Sequence, residues 1–208
     1  GAYLGTVVRR VPSNLKGSLE RPDIMRINDG VLSDNRASWD SPPDGQCEWS
    51  SARLMALQRC LDSFPADRHW VVKDPRLVFT ITGWRQLLPQ ARFIGTIRHP
   101  GAVVASLRKR DPSLTTDQGL WLWQRYNAEL EKLQGLYAFP LVSFDSPSDL
   151  YLSQVKSALD KIGLSLERKT AELFYEERLR HQKAGQDFPV PESITTLYDR
   201  LLQAARTG

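Results

Sequence analysis

The sequence predicts an α/β protein built on a parallel sheet, and three observations lead there. Short apolar runs rich in β-branched and aromatic residues occur at His69-Trp70-Val71-Val72-Lys73, Ala91-Arg92-Phe93-Ile94-Gly95-Thr96-Ile97 and Phe139-Pro140-Leu141-Val142-Ser143-Phe144, which is how strands read. Stretches of helical periodicity separate and follow them, the order expected of βα units. The runs are nearly continuous rather than alternating, as in parallel strands covered on both faces.

The helical stretches come in order. Glu48 to Ser63 carries Trp49, Leu54, Leu57 and Leu61 at helical spacing. Gly101 to Arg110 follows Pro100, a residue suited to a first helical turn. Leu120 to Leu136 places Trp123, Tyr126, Leu130 and Leu133 on one stripe. Asp149 to Ile162 repeats the pattern with Leu152, Val155 and Leu159 and stops at Gly163. Further helices are predicted over 167–180 and 193–205, with a loop over 185–191 between them. Residues 33–47 hold Asp34, Asn35, Asp40, Pro42, Pro43, Asp44 and Gly45 and read as a surface loop. No repeat, low-complexity run or domain boundary interrupts the chain, so a single domain over 1–208 is expected.

Composition narrows the function classes. The chain has 208 residues, 41% hydrophobic and 25% charged, with 28 Lys plus Arg against 24 Asp plus Glu. That is the composition of a globular protein with enough chain for its own core. The net charge of +4 suits an anionic small molecule and is too weak for a nucleic-acid groove. Nothing approaches the roughly 20 apolar residues of a bilayer span, and the start lacks the pattern of a signal peptide. The two cysteines, Cys47 and Cys60, have no partners at metal-ligand spacing, so no metal is expected. With no Asn-x-Ser/Thr acceptor, a reducing, cytoplasmic setting is the expectation.

Open α/β sheets bind ligands beyond the carboxyl ends of their strands, so the strand ends carry the functional argument. The run at 91–97 passes through Arg98-His99-Pro100 into a helix. A guanidinium there can make paired contacts to phosphate oxygens, and the helix start offers unsatisfied N–H groups. Ser106 and Arg110, four residues apart, share one helical face. An ordinary solvated basic face is the competing reading. The run at 69–73 ends in Lys73-Asp74-Pro75-Arg76, which presents a compact positive charge suited to a transferring anionic group, or simply a strand-end lysine.

Taken as a set, Lys73-Asp74-Pro75-Arg76 followed by Arg98-x-Pro100 and Ser106 resembles the sulfotransferases that use 3′-phosphoadenosine 5′-phosphosulfate (PAPS), most closely the branch holding bacterial and tyrosylprotein sulfotransferases. Asn14-Leu15-Lys16-Gly17-Ser18-Leu19-Glu20, Trp121-x-Trp123-x-x-Tyr126-Asn127 and Leu141-Val142-Ser143-Phe144-Asp145 are similar to further segments of that family, in the same order. The resemblance implies a P-loop-type three-layer sandwich, with a central parallel sheet flanked by helices, and an enzyme that moves a sulfuryl group from PAPS to a hydroxyl or amine, leaving PAP. It implies that Arg98 and Ser106 bind the 3′-phosphate, with Arg110 as a further phosphate-side arginine. Lys73 would stabilise the leaving phosphate, Glu20 would act as general base, and Lys183 would belong to a lid over the nucleotide. The acceptor would be a small molecule, carbohydrate or peptide, and a homo-oligomer stays open.

Two departures qualify the resemblance. Phe144 stands where the family often has tyrosine. The family's opening strand and phosphosulfate loop have no counterpart. Gly1-Ala2-Tyr3-Leu4-Gly5 resembles the family's residues just beyond that loop and its helix, so the chain looks like the family without its first βα unit. A catalytically incomplete binding or interaction module is therefore an alternative. A nucleotide-kinase-like protein is another, with Asp74 as its one strand-end acid. Glu20 itself has a plainer reading, as an acid favouring a helix that starts at Pro22.

Overall fold

The computed structural model describes residues 4, 7, 19–165 and 188–207. The chain divides into two compact units, Gly1–Ala91 and Arg92–Gly208. The first is helical. Its elements are α1 (Pro22–Asp34), α2 (Ser51–Asp62) and α3 (Leu77–Leu87), which pack on one another. Pro22 supplies a pre-set first turn to α1, and the Ser50 side chain caps α2 by accepting from the Arg53 N–H. The core gathers Ile24, Leu57 and Trp84, with Ile27, Trp49, Leu61, Phe64 and Leu77 packed around them. Helix α3 reaches Trp49 closely because residue 83 is glycine. A Cβ there would lie 2.3 Å from the Trp49 ring.

The second unit holds β1 (Gly95–Ile97), α4 (Pro100–Arg110), α5 (Thr116–Tyr137), β2 (Leu141–Ser143), α6 (Ser148–Lys161) and α7 (Glu192–Thr207). Strands β1 and β2 pair in parallel, with Gly95 opposite Leu141, Thr96 opposite Val142 and Ile97 opposite Ser143. Parallel neighbours need a long crossover, here made by α4 and α5. Helix α5 begins at a full capping box, Thr115 with Gln118, and ends where Ala138 turns left-handed at φ 50°. Helices α6 and α7 pack on β2, and α5 packs on α4 and α7.

The coarse α/β prediction stands: a helix-rich chain with a two-stranded parallel sheet among the described residues. Several details differ. The run at 69–73 forms no strand beyond a single bridge residue at Trp70. An extended segment becomes a strand only where a neighbour completes its ladder, and the aromatic of this run packs edge-on to Phe64, with ring centroids 4.8 Å apart. Lys73 therefore closes an irregular extended segment rather than a strand. Strand β1 is shorter than its run and has Thr96 exposed, so its two faces are not both covered, whereas β2 is buried throughout. Helix α3 was not anticipated, because the stretch Leu77–Leu87 is apolar almost all round and has no clear stripe. Positions 33 and 34 of the expected loop belong to α1. The helix expected over 167–180 lies outside the described residues. Among those described, no helix is long and apolar enough to cross a membrane.

Candidate functional site

In the first unit the chemistry gathers around the turn Lys73-Asp74-Pro75-Arg76. Lys73 Nζ donates to Glu20 Oε1 at 2.5 Å, joining two residues 53 positions apart. The lysine side chain is 51% exposed and the glutamate 12%, so the ammonium reaches solvent while the carboxylate is sheltered. The other carboxylate oxygen, Oε2, lies 3.9 Å from Arg76 Nη1. Helix α1 starts at Pro22 with Arg21 as its N-cap residue, so Glu20 stands one position ahead of the cap, and its carboxylate accepts from Lys73.

Below this pair lies a buried polar network. The Asp74 carboxylate accepts from the Arg76 backbone N–H at 3.0 Å, from Arg76 Nη1 at 3.0 Å and from Asn28 Nδ2 at 2.9 Å. Asn28, fully buried on α1, accepts with its Oδ1 from Thr80 Oγ1 and Trp84 Nε1, both on α3. Arg76 Nε also donates to Asp29 Oδ1 at 2.5 Å. Burial acts to lower the Arg76 pKa, but the charge and hydrogen bond of Asp74 outweigh it and hold the guanidinium above its ordinary value. The geometry of the Lys73 turn is therefore set by α1 and α3 through side chains buried with nearly all their hydrogen bonds made. Asp74, which accepts three of these bonds, lies in an irregular segment just before a turn rather than at a strand end.

In the second unit the chemistry gathers where β1 and β2 end. Arg98 follows β1 directly. Its Nε lies 3.8 Å from Asp145 Oδ1, its guanidinium carbon is 5.1 Å from the centre of the Phe144 ring, and its carbonyl accepts from Trp123 Nε1 at 2.9 Å. Phe144 thus offers Arg98 the face of its ring. The His99 backbone N–H donates to Asp145 Oδ2, and the His99 side chain accepts from Gly101 N–H and so caps α4. Tyr198, on α7, donates to Asp145 Oδ2 at 3.4 Å and meets the His99 and Trp123 rings edge-on at 5.3 and 6.0 Å. Burial, then the charge of Asp145, pushes the Tyr198 hydroxyl up to about 12.

Ser106 and Arg110 lie on α4 as expected, the serine half-buried and the arginine exposed at the last residue of the helix. No hydrogen bond or ion pair among the described residues ties either of them to Arg98. Lys183 and residues 8–18 lie outside the described residues. Sequence reasoning missed Asn28 and Tyr198. Tyr198 sits beside Leu197 in an amphipathic pattern and reads as core, and Asn28 is an amide inside a helix; only their distant partners, Asp145 and Asp74, mark them out. Among the described residues no group of three His, Cys, Asp or Glu side chains is placed to hold a metal ion. No family model matches the chain, and no curated protein or solved structure matches it.

Proposed function

We propose that the protein is a sulfotransferase that moves a sulfuryl group from PAPS to a hydroxyl or amine of an acceptor. The observation that carries this reading is the 2.5 Å bond between Lys73 and Glu20, the two residues the sequence nominates for the chemistry. In the reaction the acceptor oxygen or nitrogen forms a bond to sulfur, and the bond from sulfur to the bridging phosphate oxygen breaks. Glu20 takes the proton released by the acceptor. The half-exposed Lys73 ammonium neutralises the charge left on the phosphate oxygen. Sulfuryl transfer resembles phosphoryl transfer, in which positioning and charge stabilisation dominate, so a cation and a sheltered base are an apt pair.

The donor set in the second unit suits the nucleotide. Arg98 stands at the junction of β1 and α4, and Ser106 and Arg110 lie further along α4. A guanidinium and a hydroxyl are what a 3′-phosphate requires. We assign Arg98, Ser106 and Arg110 to that phosphate.

A second reading has its own support. Glu20 is already charge-compensated by Lys73, with Arg76 nearby, as in a structural ion pair, which favours a module that binds PAP without turnover. Two measurements decide. PAP should raise the melting temperature more than AMP or ATP does, since a ligand that binds the native state stabilises it. Replacing Arg98 by alanine should weaken PAP binding at least about tenfold, the cost of a charge-assisted hydrogen bond. Unchanged affinity by calorimetry removes the nucleotide assignment. PAP binding without sulfuryl transfer to any of a panel of phenols, sugars and amines selects the second reading.

A further inference from the structure

The first unit carries a groove of about 380 Å³ between α1 and α2, away from the Lys73 turn in sequence, lined by Asp23, Arg26, Ile27, Arg53, Ala56, Arg59 and Cys60. Each helix contributes one stripe. Residues 23, 26 and 27 fall on one face of α1, and 53, 56 and 60 on one face of α2, spaced three and four apart.

The charges do not balance. Asp23 is the one acid of the lining, and it is committed to Arg21, whose Nη2 and Nε hydrogen-bond its two oxygens at 2.5 and 3.1 Å, and to the Cys60 thiol at 3.4 Å. The Arg21 hydrogen bond holds the Asp23 carboxyl down at about 2, and burial pushes the Cys60 thiol up to about 11, so the thiol adds no negative charge. Arg53 lies flat against α1 and pairs with Asp34 through Nε at 2.9 Å and Nη2 at 3.0 Å. It can do so because residue 30 is glycine: a Cβ there would lie 2.3 Å from Arg53 Nη1. Arg26 and Arg59, exposed on facing helices, make no side-chain ion pair or hydrogen bond among the described residues. Both arginines line the same groove, and a guanidinium offers an oxyanion its donors in pairs.

We propose that this groove is an oxyanion site that takes the anionic head of a sulfate or phosphate ester between Arg26 and Arg59. It is independent of the nucleotide reading, since none of its residues belongs to that assignment.

The test is an NMR titration of the whole chain, labelled with nitrogen-15, using inorganic sulfate and, separately, inorganic phosphate, with sodium chloride keeping ionic strength constant. Saturable shifts of the Arg26 and Arg59 side-chain N–H signals and of the α1 and α2 amides are expected, weaker by at least about tenfold in the double variant R26Q/R59Q. The same shifts should persist in Arg98→Ala. Saturation by one anion alone identifies the head group. Shifts that stay linear, that match a chloride control, that persist in R26Q/R59Q or that vanish in Arg98→Ala overturn the site. A glutamate-rich peptide that saturates these signals while neither inorganic anion does would overturn it in favour of an acidic peptide surface.

Discussion

Asn28, on α1, donates from Nδ2 to the Asp74 carboxylate at 2.9 Å across 46 positions of sequence, and both side chains are fully enclosed. This bond ties the helix that follows Glu20 to the turn that presents Lys73. It makes the geometry of the proposed catalytic pair a property of the core of the first unit.

Replacing Asn28 by alanine should therefore cost about 3 kcal/mol. The Asp74 carboxylate loses a donor, and the Trp84 and Thr80 donors lose their acceptor inside the core, each an unsatisfied buried group. Urea denaturation followed by tryptophan fluorescence reads this directly. A loss below about 1 kcal/mol would mean that water enters and replaces the amide.

The proposed roles of Lys73 and Glu20 separate in kinetics. Lys73→Ala should lower kcat by about a hundredfold or more, since it removes charge stabilisation at the leaving oxygen, while leaving the PAP dissociation constant within about threefold. Glu20→Gln keeps a hydrogen-bond acceptor for Lys73 but removes the base, so it too should lower kcat with little change in stability. Full turnover in either variant removes that residue from the chemistry.

Tyr198 gives a pH dependence whose sign is set by its environment. Burial and Asp145 raise the folded-state value to about 12, above the value of about 10 for an exposed phenol. The neutral hydroxyl is thus favoured by folding. Its contribution is fully present below pH 10 and is lost as pH rises from about 10 toward 12, where the unfolded chain ionises first. The stability of the native chain should fall through that window, and Tyr198→Phe should fall less steeply. Equal slopes for the two proteins would show that the phenol does not titrate differently in the folded state.

Gly83 tests the close approach of α3 to Trp49. A methyl at this position meets the indole at 2.3 Å, and that indole also donates from Nε1 to the Thr80 carbonyl at 3.0 Å. Gly83→Ala should destabilise by about 1–3 kcal/mol, as overpacking of a well-filled interior does, and should shift the tryptophan emission toward that of an exposed indole. A variant as stable as the parent would require the ring to move aside without losing its bond.

Helices were the legible part of the chain. Periodicity and caps located α2, α4, α5, α6 and α7 to within a few residues, because an amphipathic stripe and a terminating Gly, Pro or polar cap are local features. Strand pairing was not local. The runs at 91–97 and 139–144 found each other as β1 and β2, whereas 69–73, equally apolar, did not enter the described sheet; partnership, not composition, makes a strand.

The candidate residues of each unit divide in the same way. The charged ones stand out from residue type and spacing alone: in the second unit Arg98 before a helix and Ser106 and Arg110 on one face, in the first Lys73 beside Asp74-Pro75. By itself the sequence determined which groups carry charge and which helices bear them. Their partners were settled by tertiary structure alone. Asn28 meets Asp74, Glu20 meets Lys73 and Tyr198 meets Asp145 across 46, 53 and 53 positions. Contacts at such separations have no signature in local sequence, because a buried polar group is defined by what satisfies it, and that is decided only when the chain packs.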